Sequence, residues 1–439
     1  MAAFRAGIRD RSPRYAGAEN WTELIAMDKI AGPEPTSAGV ARTGAESRVE
    51  RDSPAPGRRH FSYNLVRGFG ASLREHTLVI AVVLLHLGVG LALPFLLGRD
   101  LHFAIGLATI AESVATLSFW MLLLAVLIGF AAAGLRRRHK RPLLSAWRWL
   151  IEDFGRSDRI WGGMLVMLLF PVFVWNFTFI EALIPILHPF RWDATFAEWD
   201  RWLHFGRQPW EWLQPLLGYP AVTSFLSAAY AAWFFVLYGV TVMVAFLRRD
   251  PVIRMQYLLC SMLIWMVVGN LLGTVFSSAG PEYFGRVTGL ADPFQPLMDY
   301  LRAADAVWPI YTVHLQEKMW QLYLINGEGG LINGNVTAMP SLHVATAFSF
   351  FLVSRAMSRV LGWALGIFAA IILVATVHLG WHYAIDGYAA IVLTAAIWWG
   401  CGRLLRWPVM RRVLWGETHR PAVAPPPGVD AMAPASRKA

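Results

Sequence analysis

Two short segments hold the side chains best suited to chemistry. One is Ala338-Met339-Pro340-Ser341-Leu342-His343. The other runs from His378 through His382-Tyr383-Ala384-Ile385-Asp386. If 382–386 is helical, His382 and Asp386 lie four residues apart and share a face. A carboxylate so placed accepts a hydrogen bond from one imidazole nitrogen. That fixes the tautomer and leaves the other nitrogen basic and aimed. Such a nitrogen attacks phosphorus well, and Asp386 stabilises the positive charge that grows on the ring. Pro340 and Ser341 suit the start of a helix. Backbone N–H groups at a helix start favour a bound phosphate. His343, in the first turn, is placed to protonate a leaving oxygen. One histidine as nucleophile and one as acid give a two-step transfer through a phosphohistidine. His378 is also four residues from His382, so His378, His382 and Asp386 form a rival, metal-binding set.

These residues have to be positioned by membrane spans. Of 439 residues, 56% are hydrophobic and 15% are charged, against about 25% charged in soluble domains. Eight apolar stretches count as spans, the sixth of them short and the third long: about 77–97, 112–134, 161–187, 221–247, 254–276, 341–356, 360–379 and 383–404. Many of the 21 tryptophans fall near their ends, where aromatic belts sit. Cys260 and Cys401 lie inside spans, which argues against a disulfide framework and for small buried hydrophobes. Residues 1–60 lack an apolar period and predict a disordered tail rather than a secretory signal. The Pro425-Pro426-Pro427 tail predicts the same.

The net charge of +10 is a topology signal, not a nucleic-acid footprint. Arg67 and Arg74, the run Arg136–Arg141, Arg248, Arg249 and Arg254, Arg355 and Arg359, and Arg403, Arg406, Arg411 and Arg412 all fall on one side of an eight-span chain. The positive-inside bias makes that side cytoplasmic, with both termini. Both histidine segments then sit at the outer boundary. Segments 188–220 and 277–340 face the same way. The first, with Trp199-Asp200-Arg201-Trp202, suits an interfacial amphipathic helix, Asp200 and Arg201 on its solvated face. The second is too long for a turn and is a candidate for function. Residues 143–157 predict an inner interfacial helix. His86 and His102 have no nearby acid and are expected to be structural or interfacial; His188 and His204 are weaker candidates to line the site.

The pair Pro340-Ser341-Leu342-His343 and His382-Tyr383-Ala384-Ile385-Asp386 resembles the type-2 phosphatidic acid phosphatase superfamily, and most closely its inositol phosphorylceramide synthase-like branch. The resemblance implies a six-helix core over about 160–405, with His382 as nucleophile, Asp386 as its partner and His343 as general acid. It implies hydrolysis of lipid phosphates or transfer of phospho-headgroups, usually without a metal. The fuller phosphatase signature has an arginine where this chain has Thr376, and glycine where it has Leu342. Those departures favour the synthase-like branch and leave the basic phosphate clamp to be found. Arg286 is the best outward cation, with Lys318 and Arg207 behind it. Ser341 and Tyr383, beside the two histidines, join Arg286 and Lys318 as substrate-binding candidates.

The expectation is an all-α polytopic membrane enzyme with no cofactor, no metal and no nucleic-acid partner. Its domains would be a cytoplasmic tail (1–70), two extra spans with an inner interfacial helix (71–158), a six-helix catalytic core (159–405) and a cytoplasmic C-terminal tail (406–439). The substrate is a lipid phosphate in a plasma or inner membrane, met on the outer face. Water as acceptor makes a phosphatase and an alcohol makes a headgroup transferase; the oligomeric state is open. The rival classes are a transporter and a non-catalytic lipid-binding protein. A transporter should carry charge near mid-membrane, whereas here the ionisable residues gather at one face.

Overall fold

A backbone inside lipid has to satisfy its own polar groups, and helices do so within one segment. The computed structural model describes residues 68–98, 111, 112, 114–121, 123, 124, 126, 127, 159–247, 250–326 and 336–416, and these contain helices and no strand. Most of the expected tails (1–67 and 417–439), the 143–157 helix, the Arg136–Arg141 run and the end of the second span lie outside the described residues.

In chain order the helices are α1 (Thr77–Leu96), α2 (Arg159–Leu187), α3 (Asp193–Leu203), α4 (Pro209–Leu217), α5 (Pro220–Ala245) and α6 (Pro251–Val275). There follow α7 (Phe284–Thr288), α8 (Gln295–Asp305), α9 (Tyr311–Asn326), α10 (Leu342–Met357), α11 (Arg359–His378), α12 (Ala384–Arg406) and α13 (Pro408–Trp415). Six of them, α1, α2, α5, α6, α11 and α12, are long and apolar enough to cross a membrane. The 16-residue α10 is shorter. The seven fully described spans expected from the sequence are all present as helices.

α10 is the hub. It packs on α11, α12, α6 and α5, and α1 packs on α2 and α6. Phe350, Val353, Leu258 and Ile372, all buried, belong to one apolar core. The extra helix α1 is fastened by polar groups. His86 donates from Nε2 to Asn270 Oδ1 at 2.8 Å, and Asn176 Nδ2 donates to His86 Nδ1 at 3.0 Å and to the His86 carbonyl at 2.9 Å. Gly90 makes room, since a Cβ there would lie 2.1 Å from Asn176 Oδ1. Asn270 lies in a π-helical stretch of α6, Ile264–Leu272, a distortion that re-aims side chains. His86 is thus structural, with asparagines rather than acids as partners.

Cations mark one end of the bundle. There Arg254 pairs with Glu75, Trp415 Nε1 donates to Glu75, and Arg74 donates to the carbonyls of Arg412 and Val413. The opposite end carries α3, α4, α7, α8, α9 and both histidine segments. α3 is amphipathic: Asp193, Phe196, Ala197 and Asp200 face inward. Trp199, Trp202 and Leu203 are exposed, as is Phe205 just beyond, at 91%.

Candidate functional site

The site is built from two helix starts and the loops that hold them. Ser341 caps α10, its Oγ accepting from Val344 N–H at 3.4 Å. Its own N–H donates to the Asp386 carbonyl at 3.3 Å, which ties the start of α10 to the start of α12. His343 follows in the first turn. Its ring lies against Tyr230 (centroids 4.4 Å apart) and Trp233 (4.3 Å) from α5.

α11 ends in a turn that swings the second histidine back. The Thr376 carbonyl accepts from both Trp381 and His382 N–H, at 3.0 and 3.1 Å. Gly380 allows the reversal: its φ is +75°, in the left-handed region that side chains resist. A Cβ there would also meet Met298 Cε at 2.3 Å. So the threonine that stands where the phosphatase signature has an arginine is 1% exposed and holds this turn through its backbone.

His382 is 6% exposed. Its Nδ1 lies 2.8 Å from the Ala338 carbonyl and 3.4 Å from Asp386 Oδ2. A carbonyl only accepts, so Nδ1 carries the proton and Nε2 is the basic nitrogen. Burial lowers the imidazole to about 4, opposed by the Ala338 bond, so the ring is neutral near pH 7. Asp386 is fully buried. Its Oδ2 also accepts from Tyr383 N–H at 3.1 Å, and its Oδ1 has no hydrogen-bond partner among the described residues. The His343 and His382 ring centroids are 6.2 Å apart. The three expected catalytic residues therefore converge, and the backbone carbonyl of Ala338 is a closer partner to His382 than the carboxylate is.

Two further acids support the turn, both from α3. Asp200 accepts from Ala384 N–H at 2.6 Å and Ile385 N–H at 3.0 Å, capping first-turn amides of α12 that have no partner within the helix. Asp193 accepts from Ala279 and Gly280 N–H, from Ser278 Oγ and from Tyr383 Oη at 3.0 Å. Burial raises Asp200 to about 7 and Asp193 above the usual carboxylate range, against those hydrogen bonds. The expected solvated face for Asp200 is therefore corrected: it is 1% exposed, while Arg201 is exposed. A signal was present. Positions 193, 196, 197 and 200 follow the i, i+3, i+4, i+7 spacing of a buried helix face. Two of them being acids announced buried acceptors.

Glu282 is the third unexpected acid. Its N–H donates to the Gly380 carbonyl at 3.1 Å. Its Oε2 is buried without a hydrogen-bond partner among the described residues; a Gly280 Cβ would stand 3.0 Å from it and 2.8 Å from the Trp381 carbonyl. Burial pushes its carboxyl well above the usual range.

The substrate-binding candidates divide. Ser341 and Tyr383 sit in the site, Tyr383 buried with its hydroxyl on Asp193. Arg286 and Lys318 line a cavity of about 410 Å³ whose wall includes Glu282. Arg286 is paired with Glu317 at 2.8 Å and lies over Trp320. No direct contact joins either cation to the histidines among the described residues. Arg207 lies over Trp212. His204 bonds Tyr388 Oη and the Asp200 carbonyl. His378 turns from His382 to Thr223 Oγ1, 2.9 Å away. No three His, Cys, Asp or Glu residues among those described are grouped to hold a metal.

Residues 194–400, a little under half of the chain, match the family model described as the PAP2 superfamily. The matched segment contains both histidine motifs, so over this stretch the chain is similar to that superfamily. No curated protein and no solved structure matches the chain significantly.

Proposed function

We propose that the protein transfers a phosphoryl group, or a phospho-headgroup, from a membrane lipid through a phosphohistidine at His382. The observation that carries the proposal is the setting of one ring. His382 is neutral, its Nδ1–H is held by Ala338, Asp386 stands 3.4 Å behind it and His343 shares its face of the site. The superfamily match supports the same chemistry.

In the first step Nε2 of His382 attacks phosphorus and the bond to the first alcohol oxygen breaks. His343, protonated once the phosphate's negative charge lies beside it, gives its proton to that oxygen. Asp386 offsets the positive charge on His382. In the second step water or an acceptor alcohol attacks the phosphohistidine, returns a proton to His343 and frees His382. The first-turn amides of α10 favour the phosphate. Arg286 and Lys318, in the cavity that Glu282 also lines, are the proposed headgroup contacts. The finer assignment to the synthase-like branch rests on Thr376 and Leu342 standing in the signature. The cationic end of the bundle is proposed as cytoplasmic on the positive-inside bias, with the site on the outer face of a plasma or inner membrane.

The test is single-turnover labelling of the full chain in lipid nanodiscs. Lipids labelled in the headgroup phosphate, monoesters and diesters alike, are mixed with the protein and quenched in alkali. An alkali-stable, acid-labile phosphoprotein is expected, absent in His382→Ala. No label from any of them on folded protein would overturn the proposal, as would label that survives His382→Ala.

A further inference from the structure

The cationic end of the bundle carries a cavity that the histidine site does not use. It holds about 990 Å³ between the first turns of α6 and the last turns of α10 and α12. Arg355, Arg403 and Arg406 line it, and among the described residues no acidic one does. Its remaining wall is largely apolar and aromatic, with Leu352, Trp398 and Trp399 among it.

A topology signal requires only that arginines lie on one side. It does not require that they be fixed around a hollow. Here one of them is. Arg406 Nη1 donates to Gln256 Oε1 at 3.2 Å and to the Gly402 carbonyl at 3.0 Å. Gln256 is 3% exposed and is itself fixed, its Nε2 donating to the Trp398 carbonyl at 2.9 Å. Gly402 is needed at this point: a Cβ there would stand 2.6 Å from Arg406 Nη1 and 2.7 Å from Gln256 Nε2. Arg403 lies over the Trp399 ring, 5.3 Å from its centroid. Arg355 comes from the other side, from the last turn of α10, and is exposed with no ion pair among the described residues. Three guanidinium groups without an acid leave an uncompensated charge of about +3. Their forked donors match phosphate oxygens. An aromatic wall at a helix end matches the headgroup level of a bilayer.

We propose that this cavity binds the headgroup of an anionic phospholipid from the leaflet at the cationic end. The guanidinium groups of Arg355, Arg403 and Arg406 take the phosphate, and the acyl chains lie along Leu352 and Trp398. The site is separate from the histidines and does not depend on the reaction proposed for them.

The full chain in detergent is titrated with phosphatidylglycerol or phosphatidylcholine and examined by native mass spectrometry. One phosphatidylglycerol is expected to be retained, at least tenfold more tightly than phosphatidylcholine. The Arg355→Gln/Arg403→Gln double variant is expected to weaken it at least tenfold. Arg411→Gln/Arg412→Gln, at the same end on α13, is expected to change it less than twofold. Equal retention of the two lipids overturns the proposal, and so does an unchanged affinity in the first double variant. Equal losses in both double variants also overturn it, since they mean diffuse attraction to a basic surface. If the first double variant fails to fold, Arg355→Gln alone carries the test. A threefold or larger loss is then expected, and an unchanged affinity overturns the proposal.

Discussion

Asp386→Asn separates two roles for the carboxylate behind His382. In a triad where the carboxylate alone holds the tautomer, this change costs about 10⁴ in rate. Here the Ala338 carbonyl makes the shorter contact to Nδ1, 2.8 Å against 3.4 Å. The ring should therefore keep its tautomer when the charge is removed. What is lost is the attraction between Asp386 and the imidazolium that forms during attack. For unit charges 3.4 Å apart and an effective dielectric of about 20, that is roughly 5 kcal/mol. The asparagine dipole returns part of it, which leaves about 3 kcal/mol, or about two orders of magnitude in rate. The fold should survive, because an asparagine oxygen can take the Tyr383 N–H that Asp386 Oδ2 accepts at 3.1 Å. The assay is the rate of phosphoenzyme formation in a single turnover. It is paired with the nitrogen NMR shifts of His382, which report the tautomer independently of activity. The expected result is a loss of about 100-fold with the proton still on Nδ1. A loss of 10⁴ with the proton moved to Nε2 would show that the carboxylate, not the carbonyl, sets the ring. A loss under threefold would show that no charge grows on His382.

Three other outcomes follow from the same geometry. Burial places His382 near pH 4, and only the neutral ring attacks. The acid limb of the single-turnover pH profile should therefore stay flat down to about pH 5 and fall by half near pH 4. A midpoint between 6 and 7 refutes the buried, neutral nucleophile. Asp200→Ala leaves the buried start of α12 without its acceptor for Ala384 and Ile385 N–H. It should lower stability by about 2 kcal/mol, read by thermal denaturation, with Asp200→Asn less affected. Equal melting of wild type and Asp200→Ala would sink that account. Asn270→Leu removes the acceptor for His86 Nε2 and the donor to the Phe177 carbonyl. It should destabilise by about 1 kcal/mol and expose α1 to protease before the core. Proteolysis of α1 at the wild-type rate would show that apolar packing alone holds it.

Much of the molecule was legible in linear order. Apolar runs longer than a bilayer's width must be helices, because lipid offers the backbone no partner. That is why α1, α2, α5, α6, α11 and α12 fall within a few residues of the expected spans, and the shorter α10 falls on its own expected stretch as well. Alternation of spans then forces His343 and His382 to one end, whatever their packing. Ser341 was legible as a helix cap because its chemistry is local.

The rest depends on which surfaces meet. Ala338 carries no functional side chain, so no motif could name its carbonyl as the partner of His382; only the approach of the 338–341 segment to the 380–383 turn supplies it. Thr376 looked like a missing arginine and proved to hold the turn through its backbone. Asp193 and Asp200 had the right spacing on α3, but the N–H groups that donate to them lie 86 and 184 residues away, at Ala279 and Ala384. Arg286 was the expected phosphate clamp, yet its partner is Glu317 on α9. Span, side and cap are set by a residue's own chemistry and its near neighbours. The tautomer, the buried acids and the cation pairings are set by contacts between segments far apart in the chain. Burial makes those contacts decisive, because a polar group removed from water takes whatever partner the packed neighbours bring.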